Sequence, residues 1–288
     1  LGYVVIKLRE RKLRHDKEVL EQKVRERTAT IQEQKEEITT QRDEILEKKN
    51  EIEKKNEEIT DSIEYASRIQ NALLPLKDHF YQSFEDHFIL FKPRDIVSGD
   101  FYWIYKKNNK IYLTAADCTG HGVPGAFMSM LGISFLNEIV SHDRNGVYNA
   151  GDILTNLRKM VKESLHQDPD KDGSKDGMDM ALCIIDKKKN TIDFAGAFNP
   201  MILFQNGEMK IIKADRMPVG VYIKEKDNFT NHQIKVNPGD SFYIFSDGYI
   251  DQFGGPEGKK YKIKALKNLL DDIHDRDMEE QLRILNHN

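Results

Sequence analysis

From Val24 onward, apolar residues recur at a fixed step of seven: Val24, Ile31, Ile38, Ile45, Ile52, Ile59, then Ala66 and Leu73. No Pro or Gly interrupts residues 7–74. A seven-residue apolar repeat of this length predicts a helix that supercoils left-handedly with a partner. The second core position is poor. Three residues after each of the first five stand Arg27, Gln34, Gln41, Lys48 and Lys55; four residues after stand Thr28, Lys35, Arg42, Lys49 and Asn56. One good core residue per heptad predicts a weak parallel homodimer. The bland alternative is a solvated single helix, which needs packing to persist.

The pattern changes at Ile63. Ile63, Ala66, Ile69, Ala72 and Leu73 recur at steps of three and four, a wider apolar face suited to packing on a domain, and Pro75 stops the helix. Beyond it, apolar runs predict strands at 87–91, 96–105, 110–117, 180–186, 191–195, 201–204, 209–212, 233–236 and 241–245. Helical periodicity covers 124–140, 150–165, 262–270 and 278–285. Turn formers such as Asn108-Asn109, Gln205-Asn206-Gly207 and Asn237-Pro238-Gly239-Asp240 separate several strands. These short connections leave no room for crossover helices, so the class is α+β with antiparallel sheets. The expected divisions are an apolar stub at 1–8, a coiled-coil linker at 9–62, a regulatory joint helix at 63–75 and a globular domain at 76–288.

Composition sharpens this picture in three places. Charged residues make up 32% of the 288 and are concentrated in residues 7–61, which leaves enough chain afterwards for a sizeable core. The formal net charge of −4 gives no reason to expect a nucleic-acid partner. Both cysteines, Cys118 and Cys183, sit in apolar runs, the pattern of a reduced compartment. The opening residues 1–8 are too few to span a bilayer, but Arg9, Arg11, Lys12 and Arg14 follow them directly. That order reads as the cytoplasmic end of a membrane helix whose earlier part lies upstream, or else as a frayed helix start.

Three carboxylates share one setting. Asp100 follows Val97-Ser98-Gly99 and precedes Phe101-Tyr102-Trp103; Asp117 ends an apolar run before Cys118-Thr119-Gly120; Asp247 follows Phe242-Tyr243-Ile244-Phe245-Ser246 and precedes Gly248. A carboxylate at the end of an apolar strand is costly to desolvate unless a cation or hydrogen bonds compensate. Neighbouring glycines let backbone or ligand come close. Hard divalent ions such as Mg²⁺ and Mn²⁺ take oxygen ligands, and a pair of them can activate water against a phosphate. On spacing alone, three unrelated strand-end turns fit as well, because Asp-Gly is common in turns.

The ordered series DIVSGDFYW, ADCTGHGVPGAFM, AGAFNPMIL, MPVGV and FYIFSDGYIDQFGG resembles the PPM-type metal-dependent serine/threonine phosphatases, and within them the bacterial SpoIIE-like branch. The resemblance runs from about residue 69 to the end of the sequence. The linker and apolar stub also resemble those of membrane-tethered sensors that carry this domain as an output module. What the resemblance implies is a two-sheet antiparallel β-sandwich flanked by helices, with two Mn²⁺ or Mg²⁺ ions at one end. Carried over by position, Asp117 would bridge both ions, Asp100 and Asp247 would ligate directly or through water, and the backbone carbonyl of Cys118 would bind one ion. The implied substrate is a phosphorylated Ser/Thr regulator of the STAS-like anti-anti-sigma type, and the implied location is the cytoplasmic face of the bacterial inner membrane.

His121 has two readings. In some relatives a nearby histidine is the general acid for the leaving oxygen; here two residues separate Asp117 from Gly120-His121-Gly122, and a turn residue without catalytic duty fits equally. Residues 168–179 match the spacing of a calcium loop, with Asp179 at the twelfth position, but a strand-like run follows where a second helix belongs. Asp271-Asp272 sits in a helical pattern and is rejected as a ligand pair. The family pattern closes with a further Asp before a final strand, so the fourth metal ligand is expected beyond Asn288. Against the phosphatase stands a non-catalytic, signal-responsive docking module on the same dimeric coiled coil, and behind it a nucleotide cyclase or histidine kinase, for which no glycine-rich nucleotide loop or phosphoacceptor helix is present.

Overall fold

The structure is a computed structural model that describes residues 2–143, 146–168, 173–254 and 258–287. It divides into two units, Leu1–Ser62 and Ile63–Asn288. The first helix, α1 (Gly2–Leu73), makes up the first unit and supplies the start of the second. Along the first unit the heptad residues Val24 to Ile59 are between 56% and 67% exposed. Ion pairs such as Lys17–Glu21 and Lys55–Glu51 sit four residues apart on the exposed surface. Each contributes only a few tenths of a kcal/mol. Neither buried surface nor strong pairing within the chain supports this stretch.

The second unit has four layers. After α2 (Lys77–Tyr81) come β1 (Phe101–Lys107), β2 (Lys110–Cys118), α3 (Gly122–His142), α4 (Ala150–Ser164), β3 (Met178–Asp186) and β4 (Thr191–Ala197). Then follow β5 (Met201–Gln205), β6 (Glu208–Ile212), β7 (His232–Lys235), β8 (Ser241–Tyr243), α5 (Lys262–Ile273) and α6 (Met278–His287). The first sheet has the order β1-β2-β3-β4-β7 and the second β6-β5-β8, with antiparallel pairing throughout.

Period-two patterning assigns the faces. Phe101, Trp103, Tyr112, Met180, Leu182 and Ala195 pack with α3 and α4 on one side of the first sheet. The alternate residues Ile104, Ile111, Leu113, Ala181, Cys183 and Phe194 pack with Met201 and Leu203 between the sheets. Outside the second sheet, Ile202, Phe204 and Tyr243 pack against Leu266, Leu270, Ile273 and Leu285 of α5 and α6. By length and apolar composition α3 could cross a membrane, but half of that stretch is buried here as a core helix.

Three expectations are corrected. Residues 87–91 form no strand; Ile89 packs between the sheets while Phe88 and Leu90 pack outside the second. Their alternation reports two-sided packing without a backbone partner. Residues 96–100 are irregular because the side chain of Gln70, not a neighbouring strand, takes the backbone groups of Ser98. Pairing of the 241–245 run stops at Tyr243, where the chain turns toward Asp247.

Candidate metal centre

Strand register brings the carboxylates together. Phe101 pairs with Ala116, so the same register carried one residue further sets Asp100 beside Asp117. Asp117 in turn pairs with Asp179 of β3. Asp117 and Asp179 alternate with helix-facing neighbours and therefore belong to the face between the sheets, at its open end. From the other sheet, the turn after β8 delivers Ser246 and Asp247. Ser246 Oγ donates to Asp100 Oδ2 at 2.9 Å, and Asp117 is hydrogen-bonded to both Asp100 and Asp247.

Close backbone packing holds the lead-in to β1 against the exit of β2. A Cβ on Gly125 would stand 2.6 Å from the Gly120 carbonyl oxygen and 3.0 Å from the Gly99 Cα. One on Gly99 would stand 2.9 Å from the Gly120 oxygen and 3.2 Å from the Cys118 oxygen. Glycine is required here by proximity, and it leaves the Cys118 carbonyl unscreened on that side. Gln70 fixes the same segment from α1. Its Nε2 donates to the Ser98 oxygen at 2.6 Å and to Ser129 Oγ at 2.8 Å, and its Oε1 accepts from the Ser98 nitrogen at 3.0 Å.

The electrostatics are those of crowded, partly buried acids. Burial, then the Asp100 and Asp247 carboxyls, push Asp117 up to about 9. Burial and then the charge of Asp247 push Asp179 up to about 6. The Cys118 thiol is raised by burial first and by these carboxylates after it, so it is neutral and inert. Among the described residues no three His, Cys, Asp or Glu groups surround one point closely enough to hold an ion as they stand. The acids instead share hydrogen bonds through Asp117. The donor set, carboxylates with a nearby backbone carbonyl, is all hard oxygen and fits Mg²⁺ or Mn²⁺.

Of the residues singled out in the sequence, Asp100, Asp117 and Asp247 meet. His121 stands apart from that contact: it occupies the N-cap of α3, its side chain is 76% exposed, and its Nδ1 lies 3.3 Å from Asp95 Oδ2. Asp179 was missed as a partner of Asp117. Its signal was the same as theirs, a carboxylate entering an apolar strand beside glycine, but the calcium-like spacing competed for it. Part of that loop, 169–172, lies outside the described residues. Asp271 and Asp272 are on α5, as expected.

Residues 107–287 match the family model described as stage II sporulation protein E (SpoIIE). The SiaA-PP2C domain of Pseudomonas aeruginosa is 30% identical, with 81% of this chain and 88% of that one covered and a TM-score of 0.69. The RsbU and RsbW domains of Rv1364c from Mycobacterium tuberculosis are 21% identical, with 67% and 51% covered and a TM-score of 0.51. The PP2C domain of SpoIIE from Bacillus subtilis, with a fragment of its regulatory domain, is 18% identical, with 66% and 52% covered and a TM-score of 0.51. A search of curated proteins found no match. PP2C phosphatases are metal-dependent, and the oxygen-rich cluster at the end of the sandwich agrees with that chemistry. The chain belongs to the SpoIIE family and is a PP2C-type serine/threonine phosphatase.

Proposed function

We propose that Asp100, Asp117 and Asp247, with the Cys118 carbonyl, hold two Mn²⁺ or Mg²⁺ ions and that the site hydrolyses phosphoserine or phosphothreonine on a partner regulator protein. The observation that carries this reading is the convergence on Asp117 of two other carboxyls from separate chain segments, far beyond what folding alone would favour. When bound, the ions supply positive charge for the phosphate and activate water for attack. The chain's own part is to place the donors: Asp117 centrally, Asp100 held by Ser246, and Asp247 at the tip of its turn. His121 is the candidate proton donor to the leaving oxygen. His121→Ala that leaves turnover and its pH profile unchanged would reduce it to a turn residue.

The regulator expected from the resemblance is a small STAS-type anti-anti-sigma protein. The heptads support a parallel homodimer through 9–62, with 63–75 as the regulatory joint and 76–288 as the phosphatase domain. The basic cluster Arg9, Arg11, Lys12 and Arg14 supports placement at the cytoplasmic face of the inner membrane. Manganese-dependent release of phosphate from p-nitrophenyl phosphate tests the core of the reading. No release by the wild-type chain across a Mn²⁺ titration would overturn it.

A further inference from the structure

The row of acids that runs from Asp100, just before β1, through Asp117 on β2 to Asp179 on β3 continues to an aromatic just past the end of β4. Met180, next to Asp179, pairs with Ala197 at the end of β4, and Phe198 is the following residue, where the chain leaves the ladder. Sheet strands lie about 4.8 Å apart, which puts the Phe198 backbone roughly 10 Å from that of Asp117. Phe198 is 39% exposed and adopts φ +57°. A bulky non-glycine residue at positive φ is a genuine outlier, and such strain persists only where the surroundings impose it. They do so here: Phe198 N donates to the Asp215 carbonyl at 2.9 Å, and Asp215 N donates to that of Gly196 at 2.9 Å. In the same turn the buried Asn199 Nδ2 has no hydrogen-bond partner among the described residues.

The Phe198 ring meets Tyr222 edge-on, with centroids 5.8 Å apart, and Ile223 beside it is 95% exposed. The stretch leading into Tyr222 and Ile223 is hydrogen-bonded to its surroundings. Val219 and Met178 exchange two backbone bonds of 2.8 and 3.1 Å, and Val221 N donates to Gln167 Oε1 at 2.9 Å. A Cβ on Gly220 would stand 3.0 Å from the Gly177 Cα, so the loop lies directly against the chain entering Asp179. An exposed aromatic pair with an exposed isoleucine, directly after backbone hydrogen-bonded beside the acid row, is surface that a protein substrate covers when its phosphate reaches the site.

We propose that Phe198, Tyr222 and Ile223 form a substrate-docking ledge that takes an apolar side chain of the phosphorylated protein, about three residues from the phosphoserine. The spacing follows from the roughly 10 Å separation and about 3.3 Å per residue of an extended peptide. This inference rests on the metal-centre reading above and names the feature of the substrate that the site selects. The test uses the full chain with Mn²⁺ and three probes: p-nitrophenyl phosphate, a phosphoserine peptide flanked by Ser, and the same peptide with Leu placed in turn at each of three flanking positions on either side. Wild type should prefer the best Leu peptide by about tenfold in kcat/KM, as expected for burying much of one aliphatic side chain. Ile223→Ser and Phe198→Asn should abolish that preference and leave p-nitrophenyl phosphate turnover within twofold. Asn tolerates positive φ, so Phe198→Asn should also melt no lower than wild type, which a merely structural Phe198 would not allow. Absence of a Leu preference in wild type, or variants that lose all three probes equally, would overturn the ledge while leaving the phosphatase intact. Wild type inactive on p-nitrophenyl phosphate would overturn the metal-centre reading and the ledge with it.

Discussion

At Asp117, burial and two neighbouring carboxyls hold a proton that the unfolded chain releases near its ordinary value of 3.8. Below that value both states are protonated and nothing is lost. Between it and about 9 the metal-free folded site keeps a proton that the unfolded chain has given up, so stability falls as pH rises. Chelated protein should therefore melt at a lower temperature at pH 8 than at pH 6, and Mn²⁺ should reverse the trend. Asp117→Asn should abolish Mn²⁺-dependent hydrolysis yet raise the melting temperature in chelator and flatten its pH dependence. Activity retained by that variant, or a lower melting temperature in chelator, would count against the site. Gly125→Ala sets two magnitudes against each other. Alanine gains about 1 kcal/mol of helix propensity. Overpacking against Gly120 and Gly99 costs about 1–3 kcal/mol. The clash should win, and the Mn²⁺ concentration for half-maximal activity should rise because the segments carrying Asp100 and Asp117 are wedged apart. Three of the four clustered carboxylates were legible in the sequence because each stands at one end of an apolar run with a glycine within three residues. Asp179 carried the same signal but also fell at the twelfth position of a calcium-like spacing, and cross-strand register resolves the two by pairing it with Asp117.

Gln70 shows how an element reaches the site without touching it. It lies on α1, is 5% exposed, and satisfies both backbone groups of Ser98, two residues before Asp100. Nothing in its polar side chain marks it among the many glutamines of α1, and the apolar face expected from the three-and-four spacing is corrected here: Ile69 and Leu73 are 45% and 44% exposed, while Gln70 is the buried residue of the helix. The strands were legible where a continuous apolar run coincided with pairing, as in β2 and β3, which are covered on both faces. At 87–91 an apolar run existed without a ladder, and the run alone cannot distinguish the two cases. Gln70→Ala would strip the partner from the Ser98 N–H and leave its C=O only the longer bond from Ser129 Oγ at 3.3 Å, at about 1–3 kcal/mol. It should lower the melting temperature and raise the Mn²⁺ requirement together, because the freed segment carries Asp100. A variant that melts lower but titrates with Mn²⁺ like wild type would show that Gln70 anchors the helix and does not position the ligand.

At the scale of the whole molecule, the open question is what covers the heptad positions of the first unit. Ile31, Ile38, Ile45 and Ile52 are each at least 58% exposed in a single chain, and isolated helices draw little stability from propensity and surface ion pairs alone. A second copy in parallel would bury these isoleucines against their equivalents. With Arg, Gln or Lys at the other core position, the pairing should be weak, and two registers of similar energy can be biased by a small input. The full chain should therefore sediment as a dimer at tens of micromolar, an order-of-magnitude concentration for a weak coiled coil. Ile38→Lys with Ile45→Lys should make it a monomer, since a charge at each paired core position must be desolvated against a like charge. Removing residues 1–62 should also leave a monomer, with an intact fold because the layered core lies within the second unit. If the linker sets the state of the phosphatase through residues 63–75, that truncation should change Mn²⁺-dependent turnover of p-nitrophenyl phosphate several-fold. A full chain that is already monomeric, with turnover unaltered by the truncation, would remove both the dimer and the control that depends on it.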